Sequence, residues 1–421
     1  MVFGLFIVIG VIVFGSSKNN QANLSANLVM WGTVNANTVN QFLSSFKFDQ
    51  RGDLSVTYTQ KKPETFNIEL AEAIADGKGP DLLLLPSDMI FKQKNRILTI
   101  PYKSYPERLY KDTFLESSEI FLNTDGILSI PLIVDPLVMY WNRDIFRDKL
   151  KTSPPLYWDQ FQQMTPDFVE KDSIGNIKNT FSAMGEWRNI SNAKEILLNL
   201  FVQAGNNIVL KNPVGLESDL LDNKGASVIP AVSALTFYTQ FANPTQKTYS
   251  WNRSLPKSQD FFLSGNMALY FGMASELPTI RAKNPNLNFD ITTVPQSKEG
   301  KNRVFSKIYG ISIVKSSKFI PHSFQAINTI TSKENISSLE EITNLPPTRK
   351  DLLSTIPTDS YKSVFYKSAI WSKSFIDTDG QVTNGVFQNM IESITSGRSG
   401  IYESLTGANT SLNDLLEKYV Q

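Results

Sequence analysis

The sequence predicts an α/β protein built in two parts, and three observations carry that prediction. Its 421 residues exceed the ~250–300 at which a single hydrophobic core stops growing. Apolar segments of strand and helix periodicity alternate from residue 28 onward, the pattern of a sheet with helical crossovers. The run Leu82-Leu83-Leu84-Leu85 is apolar at every position, as a parallel strand covered on both faces must be.

The elements follow in order. Leu28-Val29-Met30-Trp31, ended by Gly32-Thr33, reads as a buried strand that delivers the next residues to a loop. Val39, Phe42, Leu43 and Phe46 recur at helical spacing, and Leu54 to Thr59 alternates apolar with polar residues as a strand does. Phe66, Leu70, Ala73 and Ile74 mark a second helix, which Gly77 and Gly79 stop and Pro80 cannot continue. Ligands of such sheets lie beyond the carboxyl ends of the strands. Those ends here are Trp31-Gly32-Thr33 and Pro86-Ser87-Asp88.

Ahead of this unit, Val2 to Gly15 is almost wholly apolar. Its length suits a signal-peptide core better than a full membrane span, which needs ~20 residues. No Lys or Arg precedes it, and no Cys follows it to carry a lipid. Residues 1–17 are therefore expected to be a signal peptide or a retained membrane anchor, and 18–27, rich in Asn, Ser and Gln, a linker. The expected location is extracytoplasmic, either secreted or anchored to the outer face of the cytoplasmic membrane. Packing of the segment into a core is the alternative.

Composition removes several function classes. Hydrophobic residues make up 41 % and charged residues 19 %, with a net charge of +1. No basic surface for nucleic acid is expected from that balance. There is no cysteine, hence no disulfide, thiolate nucleophile or Cys-based zinc site. The single histidine, His322, follows Pro321 at the start of a helical pattern and reads as surface or helix-terminal. No phosphate-binding loop, dinucleotide glycine fingerprint or zinc-protease helix occurs. Asp377-Thr378-Asp379-Gly380 lacks the further ligand positions of a calcium loop and reads as a solvated turn. Lys171 to Asn176 reads as a turn between two short strands. Nothing in the sequence pairs two of the carboxylates as a glycosidase requires. No catalytic residue, cofactor or metal is assigned.

A set of short motifs in order is more specific. Gly77-Lys78-Gly79-Pro80-Asp81 precedes an apolar strand, and Ile130-Pro131 precedes Met139-Tyr140-Trp141-Asn142-Arg143-Asp144-Ile145-Phe146. Pro154-Pro155-Leu156-Tyr157-Trp158-Asp159-Gln160-Phe161 opens a helical pattern. Phe262 to Leu269, Val294-Pro295 with Tyr309 to Ile313, and Leu345-Pro346-Pro347-Thr348-Arg349 follow. Together they resemble the family 1 extracellular solute-binding proteins, the group that includes the maltose-binding protein, from about residue 28 to the C-terminus. Tyr157 departs from the usual Thr, so the hydroxyl cap of that helix is expected to be lost.

The resemblance implies a two-lobed periplasmic-binding-protein-like (type II) α/β fold with an interlobe cleft and hinge. Lobe one is expected to hold 28–134 plus 295–345, and lobe two 136–293 plus 346–421. The implied function is a substrate-binding receptor of an ABC importer, most simply a monomer. It would bind a small polar solute, a sugar or oligosaccharide, between lobes that close on it, and present it to the importer's membrane subunits. A same-fold receptor for a polyamine, peptide or metal chelate is the alternative. A membrane-anchored carbohydrate-active enzyme and a structural or adhesive surface protein are more distant ones.

Sugars stack C–H faces on flat rings and need fixed polar partners for their hydroxyls. A Trp in a similar segment of the maltose-binding protein stacks on the sugar, which implies that role for Trp371. Trp187 lies where the family often places an aromatic contact. Trp31 stands at a strand end, and Trp251 in a polar loop where an exposed indole would need a use. Tyr140 and Trp141 point to opposite faces of one strand, and Tyr140 is the one assigned to the cleft. Trp158 reads as structural. Where many sugar receptors carry a further Trp, this chain has Phe271 to Glu276, so Ser275 or Glu276 is expected to meet a hydroxyl or an amine. Asp88 and Asp135, at strand ends, complete the polar candidates.

Overall fold

The computed structural model describes residues 25–212 and 215–420. The expected signal peptide or anchor, and the linker up to Leu24, lie outside them. The chain divides into two compact units. The first comprises the described residues up to Val134 with Ile308–Thr355, and the second Asp135–Lys307 with the described residues from Ile356 onward. The chain thus passes from one unit to the other after 134, 307 and 355.

In the first unit, β1 (Ala26–Gly32) pairs in parallel with β2 (Leu54–Gln60) on one side and β3 (Leu82–Pro86) on the other. The helices Ala36–Ser44 and Phe66–Ala75 form the two crossovers, as the periodicity predicts. β3 is buried at every position, whereas β1 alternates. β1 starts at Ala26, inside the stretch read as linker, because Ala26 is buried and in register with Leu54.

The turn before β3 shows why its residue types matter. Gly77 has φ +68°. Its N–H donates to Ile74 O at 3.1 Å, and Lys78 N–H donates to Ala73 O at 2.8 Å, the crossed pair of a Schellman cap that favours glycine at the left-handed position. Asp81 then clamps the strand. Its Oδ2 accepts Val29 N–H at 2.9 Å, and its Oδ1 accepts the Ser317 hydroxyl at 2.6 Å. A short hairpin, β4 (Leu122–Asn123) with β5 (Gly126–Ile127), precedes β6 (Ile130–Asn142). Within this unit Val134 N–H donates to Pro346 O at 2.9 Å, so the Leu345–Arg349 motif runs beside the start of β6.

In the second unit the rest of β6 is flanked by antiparallel partners, β11 (Leu269–Met273) and β12 (Phe289–Thr293). Two small hairpins lie between β6 and β11 in sequence: β7 (Glu170–Lys171) with β8 (Ile177–Asn179), and β9 (Val209–Asn212) with β10 (Gly215–Ser218). The first closes through the predicted Lys171–Asn176 turn, where Asp172 Oδ1 accepts the N–H groups of Ile174 and Asn176. β13 (Val304–Ile313) begins in this unit beside β14 (Ser372–Lys373). Beyond Lys307, β13 belongs to the first unit, where it lies antiparallel to β3.

The second core is aromatic. Phe161 and Phe168 each pack on Phe181, with ring centroids 4.9 and 4.8 Å apart. The helix Trp158–Phe168 starts without a hydroxyl cap, but Gln160 replaces it: its Oε1 accepts the N–H of Leu156 at 3.0 Å and of Tyr157 at 3.3 Å. Ser396-Gly397-Arg398 ends the helix Gly380–Thr395, where Gly397 takes φ +72° and Arg398 N–H returns to Ser393 O. Among the described residues no helix is long and apolar enough to cross a membrane.

Candidate functional site

In the first unit, Trp31 and Asp88 stand at the carboxyl ends of β1 and β3. Leu28 and Met30 point into the core, so Trp31 falls on the other face of β1 and is half-buried. Lys61 Nζ sits 3.9 Å from its ring centroid, a cation–π contact, and is held there by Glu69 at 2.7 Å. The following Gly32 is required by close approach: a Cβ there would lie 2.3 Å from Leu84 O. Asp88 occupies the first turn of the short helix Ser87–Ile90 and is half-buried.

In the second unit, Asp135, Tyr140 and Glu276 gather around the turn after β11, with different roles from those expected. Tyr140 is fully buried, and its hydroxyl donates to Met273 O at 2.8 Å. It is a core side chain that fixes the end of β11, not a ligand platform; the half-exposed face of β6 carries Trp141 instead. Both oxygens of Glu276 are committed. Oε1 accepts from Asn192 and from Met273 N–H, each at 2.8 Å, and Oε2 from the Tyr270 hydroxyl at 2.6 Å and Gln259 at 2.7 Å. Four donors fill a carboxylate, so Glu276 is a structural clamp. Asp135 is 2 % exposed, and its Oδ1 accepts Ser275 N–H at 2.9 Å. Burial pushes its carboxyl up to about 6, against the opposing pull of Ser275 and Lys307.

Trp251 is buried rather than exposed in its loop. Its indole N–H donates to Asn189 Oδ1 at 3.0 Å, and the Asn189 amide donates to the carbonyls of Asn252 and Leu255. The polar sequence around it misled because the indole finds its hydrogen-bond partner inside. Trp187, also buried, lies between two charged pairs. Glu186 binds Arg253 at 2.7 Å, and Arg188 forks onto Glu392 at 2.7 and 2.9 Å. Arg188 holds the Glu392 carboxyl down to about 2.

Trp371 is half-buried and caps the C-terminus of the helix Ser360–Ile370. Its carbonyl accepts Val304 N–H at 2.9 Å, and Lys367 Nζ lies 5.0 Å from the ring centroid. Downstream, Asp377 is not solvated. It is buried against Lys194, whose Nζ donates to Asp377 Oδ2 at 2.6 Å, Thr383 Oγ1 at 2.7 Å and Gly380 O at 3.1 Å. An ammonium thus takes the place a cation would have had in that loop. Asp379 caps the next helix through Gln381 and Val382. Sequence reasoning missed Lys194 and the ion pair of Glu195 with Lys307, joined at 2.9 Å. The signal available was charged residues placed inside otherwise apolar segments.

With fold and side chains in place, comparison identifies the class. Residues 44–365 match the bacterial extracellular solute-binding protein family, and the chain belongs to it. The maltodextrin-binding protein MdxE of Bacillus subtilis (strain 168) is 24 % identical over 307 residues, 70 % of this chain and 67 % of that protein. A cyclo/maltodextrin-binding protein complexed with maltotetraose superimposes with a TM-score of 0.74 at 17 % identity, covering 96 % of this chain and 99 % of that one. The cyclic alpha-maltosyl-1,6-maltose binding protein from Arthrobacter globiformis does so with a TM-score of 0.75 at 11 % identity, covering 93 % and 99 %. The fold is therefore the two-lobed α/β fold of these binding proteins.

Proposed function

We propose that this protein is the solute-binding receptor of an ABC importer, working outside the cytoplasmic membrane, and that its solute is a sugar of the oligosaccharide class. Family membership supports the receptor role. The maltodextrin-binding relative and the maltotetraose-bound structural neighbour favour a sugar over a polyamine, peptide or metal chelate. We read the chain as a monomeric binder with no chemistry of its own, which hands its solute to membrane subunits. On this reading residues 1–17 either direct export or hold the receptor at the membrane.

The observation that carries the reading at the level of side chains is Trp371. It is a half-buried indole whose backbone carbonyl is tied to β13 through Val304 N–H. Stacking of a sugar face on such a ring supplies affinity, and neighbouring polar groups select the hydroxyl pattern. Trp31 is the corresponding aromatic of the first unit. A thermal-shift screen over maltose to maltotetraose, polyamines and amino acids tests the solute class, since ligand that binds only the native state raises the melting temperature. A shift with the glucose oligomers is expected; a shift with a polyamine alone would replace the sugar. Trp371→Ala is expected to weaken maltotetraose binding by about tenfold or more with little change in the melting point of the free protein. A large loss of stability without ligand would make Trp371 a core residue.

A further inference from the structure

The first turn of the helix Ala193–Gln203 reaches several distant segments of the second unit. Asn192 donates to Glu276, Lys194 binds Asp377 and Thr383, and Glu195 pairs with Lys307 at 2.9 Å. One turn further on, Asn199 Oδ1 accepts Phe305 N–H at 3.0 Å. The protein consumes all three Lys194 donors, and that side chain is 9 % exposed. The Glu195–Lys307 pair is more open, with the carboxylate 12 % and the ammonium 24 % exposed.

Both residues are costly where they stand. Lys307 interrupts a strand whose Val304, Phe305, Ser306 and Ile308 are buried, and Glu195 lies in a helix buried from Ala193 to Val202. Desolvating two charges offsets most of their attraction, and apolar residues of similar volume would hold the helix to the strand as well or better. Stability therefore gives no reason for the pair, and its partial exposure supplies another.

We propose that Glu195 and Lys307 form a hydroxyl-recognition element for the bound solute. Two adjacent hydroxyls on one sugar ring can donate to the carboxylate and accept from the ammonium, so a vicinal diol satisfies both partners at once. The same strand contributes Val304 N–H to the Trp371 carbonyl, so β13 links the polar pair to the stacking ring. This inference rests on the sugar reading above.

Titration calorimetry with maltotetraose on wild type, Glu195→Gln, Lys307→Met and the double variant tests it. Hydrogen bonds to charged groups predict that each single change raises Kd about tenfold. The double variant should be little worse than the weaker single, because the pair acts as one unit. Unchanged affinity in both singles, with wild type still binding, overturns the proposal and leaves the sugar reading intact. Wild type that binds no glucose oligomer defeats the sugar reading first and this element with it. If Lys307→Met folds poorly, the shape-conserving Glu195→Gln decides alone.

Discussion

Buried charge is distributed differently in the two units. Among the described residues of the first, Asp81 is the buried charged side chain, and it accepts from a backbone N–H and a hydroxyl. In the second, Asp135, Glu186, Lys194, Glu195, Asp377 and Glu392 are all buried. Several of them join segments more than a hundred residues apart, as Lys194 does with Asp377 and Arg188 with Glu392. The first unit is held by periodic apolar packing on a parallel sheet, and its polar clamp serves that sheet. In the second, ion pairs and amides fix loops and helix ends that apolar packing leaves unspecified, including the segment that follows Trp371. An apolar contact tolerates small shifts, whereas a charged hydrogen bond has a required geometry. On the proposed reading, a unit that presents side chains to a polar solute gains from the second kind.

The largest effect is expected where that comparison is sharpest. Lys194→Met leaves Asp377 buried without its ammonium, and losing one partner of a buried pair costs about 3–5 kcal/mol. Urea unfolding should show this as a lower midpoint. Pairing it with Asp377→Asn should recover a good part of the loss, because the uncompensated charge is gone. If Lys194→Met alone is neutral, the pair does not organise this unit.

The first unit should respond less to loss of its own clamp. Asp81→Ala removes the acceptor of Val29 N–H and of the Ser317 hydroxyl. Leaving these donors unmatched costs about 2–3 kcal/mol, read in the same unfolding experiment. A loss as large as that of Lys194→Met would erase the distinction between the units.

That distinction also explains what could be read in the sequence. β1 to β3 and their crossover helices follow from local periodicity and from stop signals such as Gly77 and Pro80, so their order is legible in the sequence itself. The family motifs were legible for the same reason, being short and local. The burial of Trp251 was not, because its partner Asn189 lies 62 residues away and the surrounding loop looks exposed. Glu276 resembles a free carboxylate in sequence, yet Asn192, Gln259, Tyr270 and Met273 fill it. Asp377 seemed solvated because Lys194, its partner, is 183 positions earlier. Residue type gives the chemistry a side chain can perform; only long-range packing decides whether the side chain is free to perform it.

The last effect is confined to a pH window and concerns Asp135, a carboxylate that is 2 % exposed. It accepts Ser275 N–H, with Lys307 favouring and Glu276 opposing its ionised form. Burial dominates and raises its pKa from 3.8 to about 6. Between those values the native state holds a proton that the unfolded chain has released. The stabilising contribution of this group is therefore complete below about pH 4 and is lost as the pH rises through about 6. Asp135→Asn keeps an oxygen for Ser275 N–H and removes the charge. At pH 7.5 the variant should be more stable than wild type by up to about 3 kcal/mol. The gap should narrow through pH 6 and close near pH 4. A gap that does not change with pH would mean that Lys307 and Ser275 compensate this carboxylate fully, and the second unit would then carry no strained charge.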